Sequence, residues 1–180
     1  MSTTKVLVIC GPAGVGKSST AYEIARRLTE LNVSHALIDS DELDRVHPWP
    51  PAGQEPSKLA RRNLTALWAN FAALGHTRLL ITGVFTTLSS ELSWISDAVP
   101  NADITSIRLI ADLPTLKARI YRREIGSGAG DQLRRTIQQL DQMRQSDQAD
   151  TEVIDTSDQH VSGTANRIIN AWLGKPITQP

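Results

Sequence analysis

Apolar residues in this 180-residue chain alternate between short unbroken runs and longer stretches in which they recur at helical spacing. Residues 5–10 (KVLVIC) form the first run, closed by a Gly-rich stretch. A run without polar alternation predicts a strand buried on both faces, as in a parallel sheet. Over residues 16–31, Ala21, Ile24, Ala25, Leu28 and Leu31 share a helical face, and Asn32 supplies a stop. The rhythm then repeats, with a strand over 35–39 (HALID), a helix over 57–74 ending at Gly75 and a strand over 78–82 (RLLIT). A strand over 104–110, a helix over 114–124 with Pro114 in its first turn, and a short strand over 152–154 follow. This alternation predicts an α/β protein with a mostly parallel sheet, helices on both faces, right-handed crossovers and ligands at the carboxyl ends of the strands.

Two stretches break the rhythm. Residues 46–56 (VHPWPPAGQEP) are too Pro-rich for a regular element, and residues 126–130 (GSGAG) lie between arginine-rich helical segments. Each is a candidate mobile element or a plain loop. The length suits a single domain over residues 1–180. Nineteen basic residues balance nineteen acidic ones, so no general field draws the chain to nucleic acid or an anionic membrane, and any anion site must be local. The apolar run before Gly11 is too short for a signal peptide or a membrane span, which predicts a cytoplasmic protein with no membrane partner. The lone cysteine, Cys10, permits no internal disulfide and reads as packing.

The local anion site is explicit in the sequence. Gly11, Pro12, Ala13, Gly14, Val15, Gly16, Lys17 and Ser18 match the P-loop (Walker A) pattern G-x-x-x-x-G-K-[ST], placed between a buried strand and a helix start as the chemistry requires. Glycines let the backbone curl so that successive N–H groups face phosphate oxygens, and the helix adds the positive end of its dipole. The run from Gly11 to Ser19 is therefore expected to hold ATP, with Lys17 on the β- and γ-phosphates and Ser18 on Mg²⁺.

A P-loop protein also needs a carboxylate near the magnesium shell, usually at the end of a neighbouring strand. The run over 78–85 (RLLITGVF) ends without an acid, whereas the strand over 35–39 runs into Asp39-Ser40-Asp41. Asp39 is expected on Mg²⁺. Asp41 is expected at the acceptor hydroxyl, as its orienting group or general base. The competing reading is that the acids cap a turn starting near Asp41.

Taken together, the P-loop opening the chain, Asp39-Ser40-Asp41 and the arginine-rich segment 119–123 resemble the nucleoside monophosphate kinase-like group, and within it the shikimate, gluconate and adenylylsulfate kinases. The resemblance spans nearly the whole chain. It implies a three-layer P-loop fold with a five-stranded parallel sheet in the order 2-3-1-4-5, a substrate-binding insertion at about residues 42–75 and a mobile lid at about residues 120–135. It also implies that Arg119 lies against the adenine, that Arg123 approaches the phosphates, and that Thr156 belongs to a loop bordering the base mainly through its backbone. Arg122 is a weaker candidate of the same kind, and Arg134 or Arg135 would reach the transferring phosphoryl group when the lid closes. The arginine and glycine motifs that would fix shikimate as acceptor are absent, as is the full pattern that marks gluconate or adenylylsulfate kinases.

The acceptor pocket would then be built from Asp41, the 47–51 segment, Arg61, Arg62, Thr82 and Gly83. Trp49 and Trp68 could stack on a planar substrate, although Trp68 sits in a helical apolar pattern that suits the core. His47 could be a base or a surface residue, and Arg61 and Arg62 an anion site or a solvated face. The reading is an ATP- and Mg²⁺-dependent small-molecule kinase, monomeric or homodimeric, acting on a hydroxyl or a phosphate. The alternative is a P-loop ATPase that acts as a nucleotide-dependent switch on a partner.

Overall fold

The computed structural model describes residues 3–48, 56–124, 128–146 and 151–174. Five strands, β1 (Thr4–Cys10), β2 (Ala36–Asp39), β3 (Arg78–Gly83), β4 (Ala102–Ile110) and β5 (Glu152–Asp155), form one sheet in the order β2-β3-β1-β4-β5. All pairings are parallel. β1 lies at the centre because both its faces are apolar. Val6, Val8 and Cys10 point into one core, and Leu7 and Ile9 into the other.

The helices sort onto the two faces by which apolar stripe they carry. α1 (Lys17–Glu30) and the C-terminal α6 (Val161–Leu173) cover one face through Ile24, Leu28, Ile168 and Trp172. Leu116 of α4 (Leu113–Arg123) joins the same core. On the other face, α2 (Pro56–Ala73) and α3 (Leu88–Ala98) contribute Leu64, Trp68, Leu88, Trp94 and Ile95. α5 (Ala129–Ser146) touches α4 and α3. Trp68 is a core residue, 3% exposed. None of the described helices is long and apolar enough to cross a membrane.

The expected strands and the helices over 16–31, 57–74 and 114–124 are present to within two residues. Part of the 126–130 expectation is corrected. Ala129 and Gly130 already belong to α5, because the strong helix formers that follow extend the helix back through Gly130, and Ser127 with its two predecessors lies outside the described residues. Trp49, with most of the Pro-rich stretch, also lies outside them.

β4 carries an ion where its pattern promised only strand. Arg108 pairs in register with Cys10 and is fully buried, donating from Nη1 to the carbonyl of Phe85 at 3.0 Å and towards that of Val84 at 3.4 Å. Phe85 sits at φ 44°, a left-handed conformation that is unfavourable for a bulky residue, so the guanidinium holds in place a turn that the backbone alone resists. Replacing Arg108 with methionine keeps the aliphatic stem but leaves those carbonyls without their donor. The expected loss is about 2–4 kcal/mol of unfolding free energy, read as a lower midpoint in urea, and an unchanged midpoint would contradict it.

Candidate functional site

The carboxyl ends of β1, β2 and β3 and the start of α1 open onto a cavity of about 770 Å³. Its floor is the glycine-rich loop. Gly11 has no room for a side chain, since a Cβ there would stand 2.5 Å from the carbonyl oxygen of Leu109 on β4. This close approach seats the loop against the sheet. α1 then begins at Lys17, and Thr20 is the first amide to bond back, to Gly16 O at 2.9 Å. The N–H groups of the first turn have no intrahelical acceptor, and Gly16, Lys17, Ser18 and Ser19 line the cavity beside Ala13, Gly14 and Val15. A run of such donors with the helix dipole behind it can hold an anion.

Lys17 lies within this site with its Nζ donating to Pro12 O at 3.1 Å. Burial pulls its pKa down to about 8, against the pull of Asp41 and Asp39 in the opposite direction. A bound polyphosphate favours the charged ammonium, so binding at or above pH 8 is expected to take up a proton and to weaken as pH rises further. Calorimetry of nucleotide binding at pH 8.5 in two buffers of different ionisation enthalpy reads this directly. Heats independent of buffer would contradict it.

At the end of β2 the two acids play different parts. Asp39 caps a short 3-10 turn, α-helix-like but tighter, over Ser40–Glu42, accepting the Asp41 N–H at 3.1 Å through Oδ1. Its other oxygen, Oδ2, accepts from Ser18 Oγ at 3.5 Å. The turn therefore opens at Ser40 rather than near Asp41, and the capping acid is Asp39, which serves the turn with one oxygen and faces Ser18 with the other. A hydroxyl and a carboxylate are hard oxygen donors that suit Mg²⁺, which takes one or two protein oxygens alongside nucleotide phosphates. Asp41 also lines the cavity, and burial, followed by the nearby charge of Asp39, raises its pKa above the ordinary 3.8.

Across the cavity, Arg119 is held by its edges. Nη1 donates to Val15 O at 3.3 Å and Thr156 Oγ1 at 3.1 Å, and Nη2 donates to Thr156 O at 2.7 Å. Arg119 also lines the cavity. Thr156 is more than a backbone contact. Its hydroxyl is buried, 3.0 Å from Val15 O and 3.1 Å from Ile110 O, and ties the loop after β5 to the glycine-rich loop. Arg122 and Arg123 both line the cavity, with Arg123 resting on Glu124 at 2.9 Å. Of the later pair, Arg135 lines the cavity and donates to Gln132 Oε1 at 2.9 Å, whereas Arg134 turns outward to Asp131.

Of the residues expected at an acceptor, Arg61 is drawn to Asp97 of α3 at 3.3 Å, and Arg62 and His47 are exposed. Gly83 is required by packing. A Cβ there would stand 2.4 Å from both the Phe85 ring and Ser40 Oγ. Cys10 is buried, its thiol donating to Ile107 O at 3.3 Å, in keeping with packing.

Sequence reasoning named Arg135 on α5 but missed Gln132 and Gln139 beside it. Gln132, Arg135 and Gln139 line the cavity three and four residues apart, and Gln139 Oε1 accepts the Ala13 N–H at 3.2 Å. That spacing is visible in the chain once a helix is drawn over 129–146.

No protein-family profile and no curated protein matches the sequence. Solved structures do. The Deinococcus radiodurans tunicamycin resistance protein superposes with a TM-score of 0.67 at 20% identity, over 98% of this chain and 99% of its own. A Sinorhizobium meliloti gluconokinase gives 0.62 at 17% identity, over 97% and 94%. These likenesses, at 20% and 17% identity, show a shared fold. The Mycobacterium tuberculosis APS kinase, solved with AMPPNP and APS, shares it too, with a TM-score of 0.60 at 16% identity over 97% and 100% of the two chains. In this chain the fold places the glycine-rich loop, Asp39, Asp41 and the α4 arginines around one cavity.

Proposed function

We propose that this protein is an ATP-dependent phosphotransferase that moves the γ-phosphoryl group to a hydroxyl of a small molecule, working as a single domain in the cytoplasm. The observation that carries the proposal is the convergence, on one cavity, of an anion-binding helix start with Lys17 and of two carboxylates, one facing Ser18 and the other the cavity. The kinase fold supports transfer over a switching ATPase, as does the absence of an acid at the end of β3, where the strand runs out in Thr82-Gly83-Val84.

In this reading the loop amides and Lys17 hold the β- and γ-phosphates, Arg119 lies against the adenine, and Ser18 and Asp39 hold Mg²⁺. The metal, when bound with the nucleotide, neutralises charge shared between the phosphates. Asp41 accepts the proton of the acceptor hydroxyl as its oxygen bonds to the γ-phosphorus. The bond from that phosphorus to the β–γ bridging oxygen breaks, and ADP leaves with the electron pair. A carboxylate with a raised pKa is a better base for this step. Arg123, and Arg122 or Arg135 on lid closure, stabilise the charge that spreads over the equatorial oxygens.

The acceptor is sought by following ADP release from Mg²⁺-ATP in water and then against nucleosides, nucleoside monophosphates, sugar acids, shikimate, adenylylsulfate and hydroxylated antibiotics. Release stimulated by one chemical class names the acceptor. Steady release that ignores every acceptor would overturn the proposal in favour of the ATPase switch.

A further inference from the structure

The Pro12–Ala13 peptide unit is gripped at both ends. Its carbonyl oxygen takes the Lys17 ammonium at 3.1 Å, and its N–H donates to Gln139 Oε1 at 3.2 Å, although Gln139 lies 126 residues further along the chain. Lys17 is the residue that reaches the terminal phosphates in a P-loop, so the peptide it touches marks the γ end of the site. Gln139 therefore stands at the γ end as well, and it lines the cavity there.

The rest of α5 fixes that position. Thr136, one turn before Gln139, is fully buried, so this face of the helix is packed against the body of the protein. At its C-terminal end, Ser146 Oγ donates to Thr86 O in the loop after β3. The helix thus spans from the cavity wall to the loop on the acceptor side, and Gln139 projects from its middle. A carboxamide carries acceptor and donor on one carbon, so a side chain whose oxygen is bound to the loop brings an N–H pair to the same wall.

We infer that Gln139 is a γ-phosphate ligand, its Oε1 holding the Ala13 amide and its Nε2 donating to the terminal phosphoryl group of the bound nucleotide. This rests on the reading of the cavity as an ATP site. It assigns α5 the task of distinguishing a triphosphate from a diphosphate, because ADP offers nothing at this end of the loop for Nε2 to meet.

The test compares equilibrium binding of Mg²⁺-ADP and Mg²⁺-AMPPNP to the wild-type protein, Gln139→Ala and Gln139→Glu, with thermal melting of each empty protein. Gln139→Ala is expected to leave the ADP dissociation constant within about twofold and to lower the preference for AMPPNP over ADP by about tenfold, the size of one hydrogen bond to a charged group. Gln139→Glu can still accept the Ala13 N–H, so it is expected to melt like wild type. Yet it sets a negative charge beside the γ-phosphate and should lose at least as much of the preference. An unchanged preference in both variants overturns the inference, as does equal weakening of ADP and AMPPNP, which is what loss of loop support alone would give. Wild-type protein that binds neither nucleotide overturns the functional reading itself, and the inference falls with it. Wild-type binding with the preference intact in both variants sinks the inference alone.

Discussion

Lys17→Ala is expected to weaken Mg²⁺-ATP binding by about a hundredfold or more, while the empty protein remains folded and melts no lower than wild type. The first half follows from the loss of an ammonium that, in the proposed function, makes charge-assisted hydrogen bonds to two phosphates, each worth about 1.5–3 kcal/mol. The second follows from the burial of Lys17. Its pKa in the folded protein, about 8, lies below the ordinary 10.5, so the charged form is disfavoured by folding. At neutral pH the charged lysine therefore opposes folding, and that cost fades as pH rises from about 8 through 10.5. Alanine removes the cost along with the proposed phosphate contact. A thermal melt with and without ADP separates the two effects: wild type should be stabilised by the nucleotide and the variant should not. A variant that ADP still stabilises would show that Lys17 does not hold the phosphates.

Asp41→Asn is expected to lower acceptor phosphorylation by about 10²–10⁴-fold, the range for removal of a general base, with ATP affinity unchanged or slightly improved. The substitution is isosteric. The backbone N–H that Asp39 accepts is retained, so the 3-10 turn and the side of Asp39 facing Ser18 stay in place. One negative charge near the phosphates is lost, which cannot weaken their binding. The base is active only when ionised, so wild-type turnover should fall as pH drops through the raised pKa of Asp41, above the ordinary aspartate value of 3.8. The residual activity of Asp41→Asn should lack that acid limb. An Asp41→Asn enzyme with wild-type turnover would remove Asp41 from the chemistry.

Much of this site was legible because it is local in sequence. The phosphate loop is eight consecutive residues between an apolar run and a helical stripe, and Asp39 and Asp41 are two apart at a strand end. The strands were readable because those of a parallel sheet are covered on both faces and show as unbroken apolar runs. The order of the sheet came from resemblance alone, since no spacing along the chain encodes which strands pair.

What escaped had weak or distant signals. α3 carries four serines among its eleven residues, and α6 contains Gly163 with β-branched residues at 164, 168 and 169, so in both the helical propensity is low and tertiary burial of Leu88, Ile95, Ile168 and Trp172 decides the outcome. Arg108 looks like a polar interruption in a strand, and only the fold reveals that it braces the turn at Phe85. Gln139 reaches Ala13 across most of the chain, a contact that sequence periodicity cannot supply. Thr156 was expected to act through its backbone, and its hydroxyl proved to join three segments.

The most direct test of the central claim follows the label of γ-³²P-ATP in the presence of Mg²⁺ and the acceptor class that stimulates ADP release. Phosphotransfer is expected to move the label onto the small molecule in a one-to-one ratio with ADP, and Lys17→Ala and Asp41→Asn are expected to abolish or nearly abolish that transfer. Label that appears only as inorganic phosphate, with or without the acceptor, would contradict a kinase and leave hydrolysis as the activity of the site.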